Sequence, residues 1–120
     1  LDARGGALLP GLHDHHVHLL ALAASLESLR CGPPEISTEE HLERQLRGRA
    51  AQLDGTRDAW IRGIGYHEAV AGDLDRAWLD RVVPEVPVRI QHRSGRLWIV
   101  NSRGLALLIQ GADHPGDAPL

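Results

Sequence analysis

Lysine, methionine and phenylalanine are all absent from these 120 residues, and there is a single cysteine, Cys31. All 13 basic residues are therefore Arg. With Ala, Leu and Gly abundant, this is the residue usage of a G+C-rich coding sequence, and it carries no mechanistic information. One thiol excludes an internal disulfide and fits a reducing compartment, so a cytoplasmic location is expected. No apolar run reaches the roughly eighteen residues a transmembrane helix needs, since the longest candidate, Leu19 to Leu26, contains Ser25 and runs into Glu27. Charge of one sign is also lacking. The 16 acidic residues are interspersed with the Arg residues, for a net charge of −3, which gives no basic footprint for nucleic acid or an anionic membrane. Neither partner is expected, and the sequence carries no signature of an oligomeric state. The chain starts on Leu1 rather than Met and ends on Ala118-Pro119-Leu120 without a polar tail, so it reads as a piece cut from a longer protein. A signal peptide ahead of Leu1 would leave no trace.

At this length and 42% hydrophobic content, one modest core is the ceiling. No internal repeat or low-complexity segment is present. Pro10-Gly11 forces a bend, after which Leu12, Asp14, His16 and His18 alternate with His13, His15 and Val17 in the period of a strand. Leu19 to Leu29 or Arg30 has helical spacing and stops at Cys31-Gly32-Pro33-Pro34. Ser37-Thr38-Glu39-Glu40 reads as a capping box opening a helix whose buried stripe is Leu42, Leu46, Ala50 and Leu53, closed by Asp54-Gly55. A strand over 59–66 follows, with two glycines that permit close backbone approach or a bulge. A loop containing Gly72 then leads to a short helix over 75–83 with Leu74, Trp78, Leu79 and Val82 inward. Strands are expected over 86–91 and 97–100, and a last helix, capped by Asn101-Ser102, to about Ile109. Strands mixed with helices make this an α/β chain.

Four of the eight His residues fall within His13-Asp14-His15-His16-Val17-His18. A His-x-His pair on a strand sends two imidazoles to the same side, where His16 and His18 can reach one divalent ion at roughly 2.0–2.1 Å each. The alternative is a pair of partly buried, hydrogen-bonded histidines. Two ligands do not complete a zinc site, so the others must come from elsewhere. Asp14 lies on the same face and can fix a ligand imidazole in one tautomer, or else cap the strand end. His13 and His15 face the other way and read as structural.

The stretch Ala7-Leu8-Leu9-Pro10-Gly11-Leu12-His13-Asp14-His15-His16-Val17-His18 resembles the amidohydrolase superfamily signature Pro-Gly-hydrophobic-x-Asp-x-His-x-His. Three later stretches resemble one branch of it, the large hydrolases grouped with N-acyl and D-amino-acid amidohydrolases. They are Trp60-Ile61-Arg62-Gly63-Ile64-Gly65-Tyr66, Leu79 to Val88, and Ser94-Gly95-Arg96-Leu97-Trp98-Ile99-Val100-Asn101-Ser102. The resemblance implies part of a (β/α)8 TIM barrel. Residues 1–9 would be the edge of a small β-sandwich, and residues 10–120 the first barrel strand with an inserted α/β segment. It also implies a metal-dependent hydrolase of C–N bonds in amides or cyclic amides, or a deaminase, acting on a small-molecule substrate through water activated on one or two divalent metals, zinc foremost. A complete barrel takes about 250 residues, so the remaining ligands and the catalytic acid-base would lie outside this chain. On this reading the chain alone is inactive. A non-catalytic metal-binding module and a barrel-derived scaffold are the alternatives.

Where relatives of this branch commonly carry His after Ser/Asp-Gly, this chain has Arg96, which can clamp a substrate carboxylate. Arg96 and Asn101 are the candidate substrate contacts, and Asn101 is equally explained as a helix N-cap. His41, His67, His92 and His114 have no partner at ligand spacing and default to surface or packing roles. Trp60, Trp78 and Trp98 read as core, Cys31 as an unreactive loop thiol, and Glu39-Glu40 as a solvated helix face.

Overall fold

A computed structural model of the chain describes residues 27–53 and 59–112. Four strands form one sheet in the order β1 (Leu29–Arg30), β2 (Ile61–Tyr66), β3 (Val88–His92) and β4 (Trp98–Val100). The first three run parallel, with Leu29 opposite Gly63 and Ile61 opposite Val88, whereas β4 turns back antiparallel with Ile99 opposite Ile90. Between them lie helices α1 (Glu39–Gln52), α2 (Glu68–Ala71) and α3 (Arg76–Val82), and α4 (Ser102–Ala112) follows β4. This is the mixed α/β architecture expected from the sequence. The expected sandwich edge over 1–9, the strand carrying His16 and His18, and the segment of helical spacing up to 26 lie outside the described residues.

The core forms where alternate strand residues meet the helical stripes. Ile61, Val88, Ile90 and Ile99 point to one face and are buried with Leu42 and Leu46 of α1 and Leu79 and Val82 of α3. Each such leucine contributes about 2 kcal/mol relative to an exposed position. Gly63 occupies the same face because nothing larger fits there. A Cβ at this position would sit 2.6 Å from the Cys31 sulfur and 2.9 Å from Cγ1 of Ile90. Gly65 has φ +73°, and the β2–β3 register shifts between Gly63 and Tyr66, so the two glycines serve the close approach and the bulge respectively.

Several local expectations need correction. Leu29 and Arg30 are strand, not the last turn of a helix, because β2 offers them backbone partners and Cys31 N–H continues the ladder to Ile64 O at 2.8 Å. The cap of α1 is Thr38, whose hydroxyl accepts from His41 N at 3.3 Å, one residue beyond the expected Ser37. Glu39 is not merely solvated. It accepts a 2.6 Å hydrogen bond from the Trp78 indole and lies 3.6 Å from Arg81, which ties α1 to α3. Trp98 is 46% exposed rather than core, since it alternates out of the buried face, and the Arg89 guanidinium covers its ring at 5.0 Å. Part of the expected Gly72 loop is the helix α2, capped by the His67 ring.

Candidate functional site

All three parallel strands deliver their carboxyl ends to one edge of the sheet, the edge at which α/β folds build ligand sites. The chain leaves β1 through Cys31, β2 through His67 and Glu68, and β3 through the turn Arg93-Ser94-Gly95-Arg96. Arg93 N–H donates to Tyr66 O at 2.9 Å and His92 N–H to Leu97 O at 2.9 Å, which pins this turn beside the end of β2. The Tyr66 hydroxyl donates to Gly72 O at 2.8 Å and fixes the far end of α2; burial pushes its pKa up.

His92 is the centre of this edge. The Ser94 amide donates to its Nδ1 at 3.2 Å, and the Ser94 hydroxyl lies 2.8 Å from the same atom. Nδ1 therefore supplies the lone pair, and the ring proton sits on Nε2. Nε2 is buried and lies 3.0 Å from Glu68 Oε1, an approach close in distance but out of line for a hydrogen bond. Glu68 Oε2 lies 3.9 Å from Nδ1 of His67, whose ring accepts from Ala69 N at 2.9 Å. The Glu68 backbone amide, and then His92, hold the Glu68 carboxyl below its ordinary pKa. The cluster is thus an ionised, half-exposed carboxylate flanked by two imidazoles. Sequence reasoning gave His92 and His67 only surface or packing roles and missed Glu68, because only the parallel register, with Tyr66 opposite His92, brings these segments together.

Cys31 is fully buried behind this edge, and desolvation drives its thiol up to about 12 against the opposing effect of a backbone hydrogen bond from Ile64. Burial of this kind, rather than the want of a nearby base, makes it a poor nucleophile. Arg96 is exposed on the turn, with its amide 3.4 Å from Ser94 Oγ. Asn101 is fully buried. Its oxygen accepts from Val88 N at 3.0 Å and Gly104 N at 2.8 Å, and its nitrogen donates to Val83 O at 2.9 Å and Val86 O at 2.8 Å. This uses both donors and both lone pairs, so no polar atom of the side chain is left over. The structure therefore brings together His67, Glu68, His92 and Ser94, sets Arg96 on the adjoining turn, and places Asn101 in the core. His16, His18 and Asp14 lie outside the described residues. Among the described residues, no group of three or more His, Cys, Asp or Glu side chains could hold a metal ion, and no helix is long and apolar enough to cross a membrane.

A family model described as the amidohydrolase family matches residues 1–119. An N-substituted formamide deformylase of Arthrobacter pascens is 28% identical over 118 residues, covering 96% of this chain and 21% of the relative. Protein LONG AFTER FAR-RED 3 of Arabidopsis thaliana is 29% identical over 113 residues, covering 92% of this chain and 18% of the relative. The chain thus spans about a fifth of the length of the curated relatives it matches. No solved structure matches it.

Proposed function

This chain belongs to the amidohydrolase family, and from that premise we propose that it forms part of a metal-dependent hydrolase of carbon–nitrogen bonds in small amide or cyclic amide substrates. The observation that carries the proposal is the His16-x-His18 pair, with Asp14 ahead of it, inside a match covering residues 1–119. Two neutral imidazoles with a nearby carboxylate suit a borderline-soft divalent ion, zinc first. His16 and His18 would hold the ion, and Asp14 would keep one imidazole in its ligating tautomer. When bound, the ion supplies Lewis acidity, both to activate water and to polarise the attacked carbonyl. Both imidazoles must be unprotonated to bind, so retention of the ion falls off below about pH 6. Arg96 is the proposed clamp for a substrate carboxylate. Asn101 has no polar atom free for a substrate, and its part is to fix the start of β3 against the first turn of α4.

One relative is a deformylase of N-substituted formamides, which makes such formamides the first substrates to assay. The test measures metal content and formamide hydrolysis of the complete protein beside a His16→Ala/His18→Ala variant. About one or two ions per chain together with turnover, both lost in the variant, is the expected result. A variant that keeps its metal and its activity would sink the ligand assignment. Metal held by the parent without turnover would favour a binding module.

A further inference from the structure

The two faces of the sheet are unequally covered. Helices α1 and α3 pack on the face that carries Ile61, Val88, Ile90 and Ile99. The alternate strand residues Arg30, Arg62, Ile64, Arg89, Trp98 and Val100 point the other way, and none of them is buried. Helix α4 meets this second face at one end, where a Cβ on Gly104 would lie 2.8 Å from Trp60 Cζ3 and from Val100 Cγ1. Past Gly104 the helix reads Leu105-Ala106-Leu107-Leu108-Ile109, and none of these apolar residues is buried either. Parallel strands are ordinarily covered on both faces, so this side calls for a second layer. The chain spans about a fifth of the length of the relatives it matches, and a complete protein of their length has ample chain to supply one.

The charges on this face say what that layer must bring. Arg62 and Arg89 are directly paired across β2 and β3, and like charges so placed repel. Among the described residues neither takes part in an ion pair, whereas Arg47 has Glu43 and Arg81 has Glu39. No strand residue of this face is acidic, although the chain as a whole carries a net charge of −3. The Arg89 guanidinium lies 5.0 Å from the centre of the Trp98 ring, which steadies it on the face while its N–H groups stay free for an acceptor. Burial, and then the charge of Arg62, pull the Arg89 pKa down, the direction expected of a cation short of counter-charge. We propose that this face is an intramolecular interface, covered in the complete protein by a layer of the same polypeptide that sets a carboxylate between Arg62 and Arg89. An apolar cover would desolvate two adjacent cations without compensation, whereas one carboxylate can accept from both guanidinium groups.

The experiment follows thermal unfolding of the complete protein as wild type, Arg62→Met and Arg62→Lys at neutral pH. With a carboxylate between the pair, Arg62→Met should lower the melting temperature by several degrees, because a covered acid loses one of its partners, and Arg62→Lys should recover most of the loss. With no acid over the face, Arg62→Met relieves the repulsion from Arg89, and a melting temperature that holds or rises overturns the proposal. Equal losses in the Met and Lys variants point to packing rather than charge and overturn it as well. Phenylglyoxal labelling of the wild type, read by peptide mass spectrometry, keeps the question open to test should a variant fail to fold. Arg62 and Arg89 should react well behind Arg47, whose side chain is 57% exposed, and equal reactivity rules the interface out. A wild-type melting temperature that rises with protein concentration, and does so only with Arg62 in place, assigns the cover to a second copy. One that rises with inorganic phosphate, but not with chloride at equal ionic strength or in Arg62→Met, makes the face an open anion site. Either result puts another occupant on the face and overturns the proposal, while leaving the assignment of His16 and His18 untouched.

Discussion

Asn101 shows how one residue can decide a junction. It has no exposed surface, and its amide ties together the start of β3, the loop ahead of it and the first turn of α4. Replacing it with Ala strands two amides and two carbonyls without partners, at an expected cost of about 3 kcal/mol or more, read as a lower urea midpoint at an unchanged m-value. Cys31 makes a prediction about pH. Its folded pKa is raised from 9.0 to about 12, so above pH 9 the unfolded chain releases the thiol proton while the folded chain keeps it. Stability from this group is complete below pH 9.0 and is lost as pH rises toward about 12; Cys31→Ser should flatten that part of the stability curve. Below that window, iodoacetamide should label Cys31 only when the chain unfolds. Neither residue advertised its role in the sequence. Asn101 read equally well as a cap or a contact, and Cys31 as a loop thiol, because burial belongs to the assembled fold.

At the scale of elements, the starts of the helices were the most legible features. A cap is a contact within three or four residues of chain, so Ser37-Thr38-Glu39 placed α1 to within one residue, and Asp75 accepts from Trp78 N at 2.8 Å at the start of α3. The cap of α4 has a part that no local rule contains. Asp80 on α3 accepts from the Ser102 amide at 2.7 Å and the Ser102 hydroxyl at 2.6 Å, joining two helices separated in sequence by β3 and β4. These bonds favour the ionised form and lower the Asp80 pKa, so its support for α4 is present above the ordinary value of 3.8 and disappears as pH falls through the lower folded value. Asp80→Asn should reduce the melting temperature at neutral pH, and the gap to wild type should narrow as the pH is lowered. Thr38→Ala should cost about 1 kcal/mol at the start of α1, measured by the same thermal unfolding. The short helix α2 escaped notice because one turn is too brief to show a period; its start depends on the His67 ring accepting from the Ala69 amide, which only the structure shows.

For the molecule as a whole, β1 to β3 with their helices form a parallel α/β layer, and antiparallel β4 sets this sheet apart from a uniform arc of parallel barrel strands. If the complete protein holds its ion through His16 and His18, removing the ion with a chelator should lower its melting temperature, and excess zinc should restore it in proportion to the logarithm of free ion. A His16→Ala/His18→Ala variant should show neither response.

The sequence by itself determined the family, the α/β class, the candidate ligands His16 and His18 and most element starts, because these depend on spacings of a few residues or on a short motif. The tertiary structure decided what depends on register and burial: β1 as a strand, Trp98 on the outer face, Asn101 as a buried tie, and Glu68 beside His92. Neighbouring parallel strands are joined through intervening helices, so the residues that meet at their carboxyl ends lie far apart in the chain. Their meeting is fixed by the pairing of Tyr66 with His92, which no local spacing encodes.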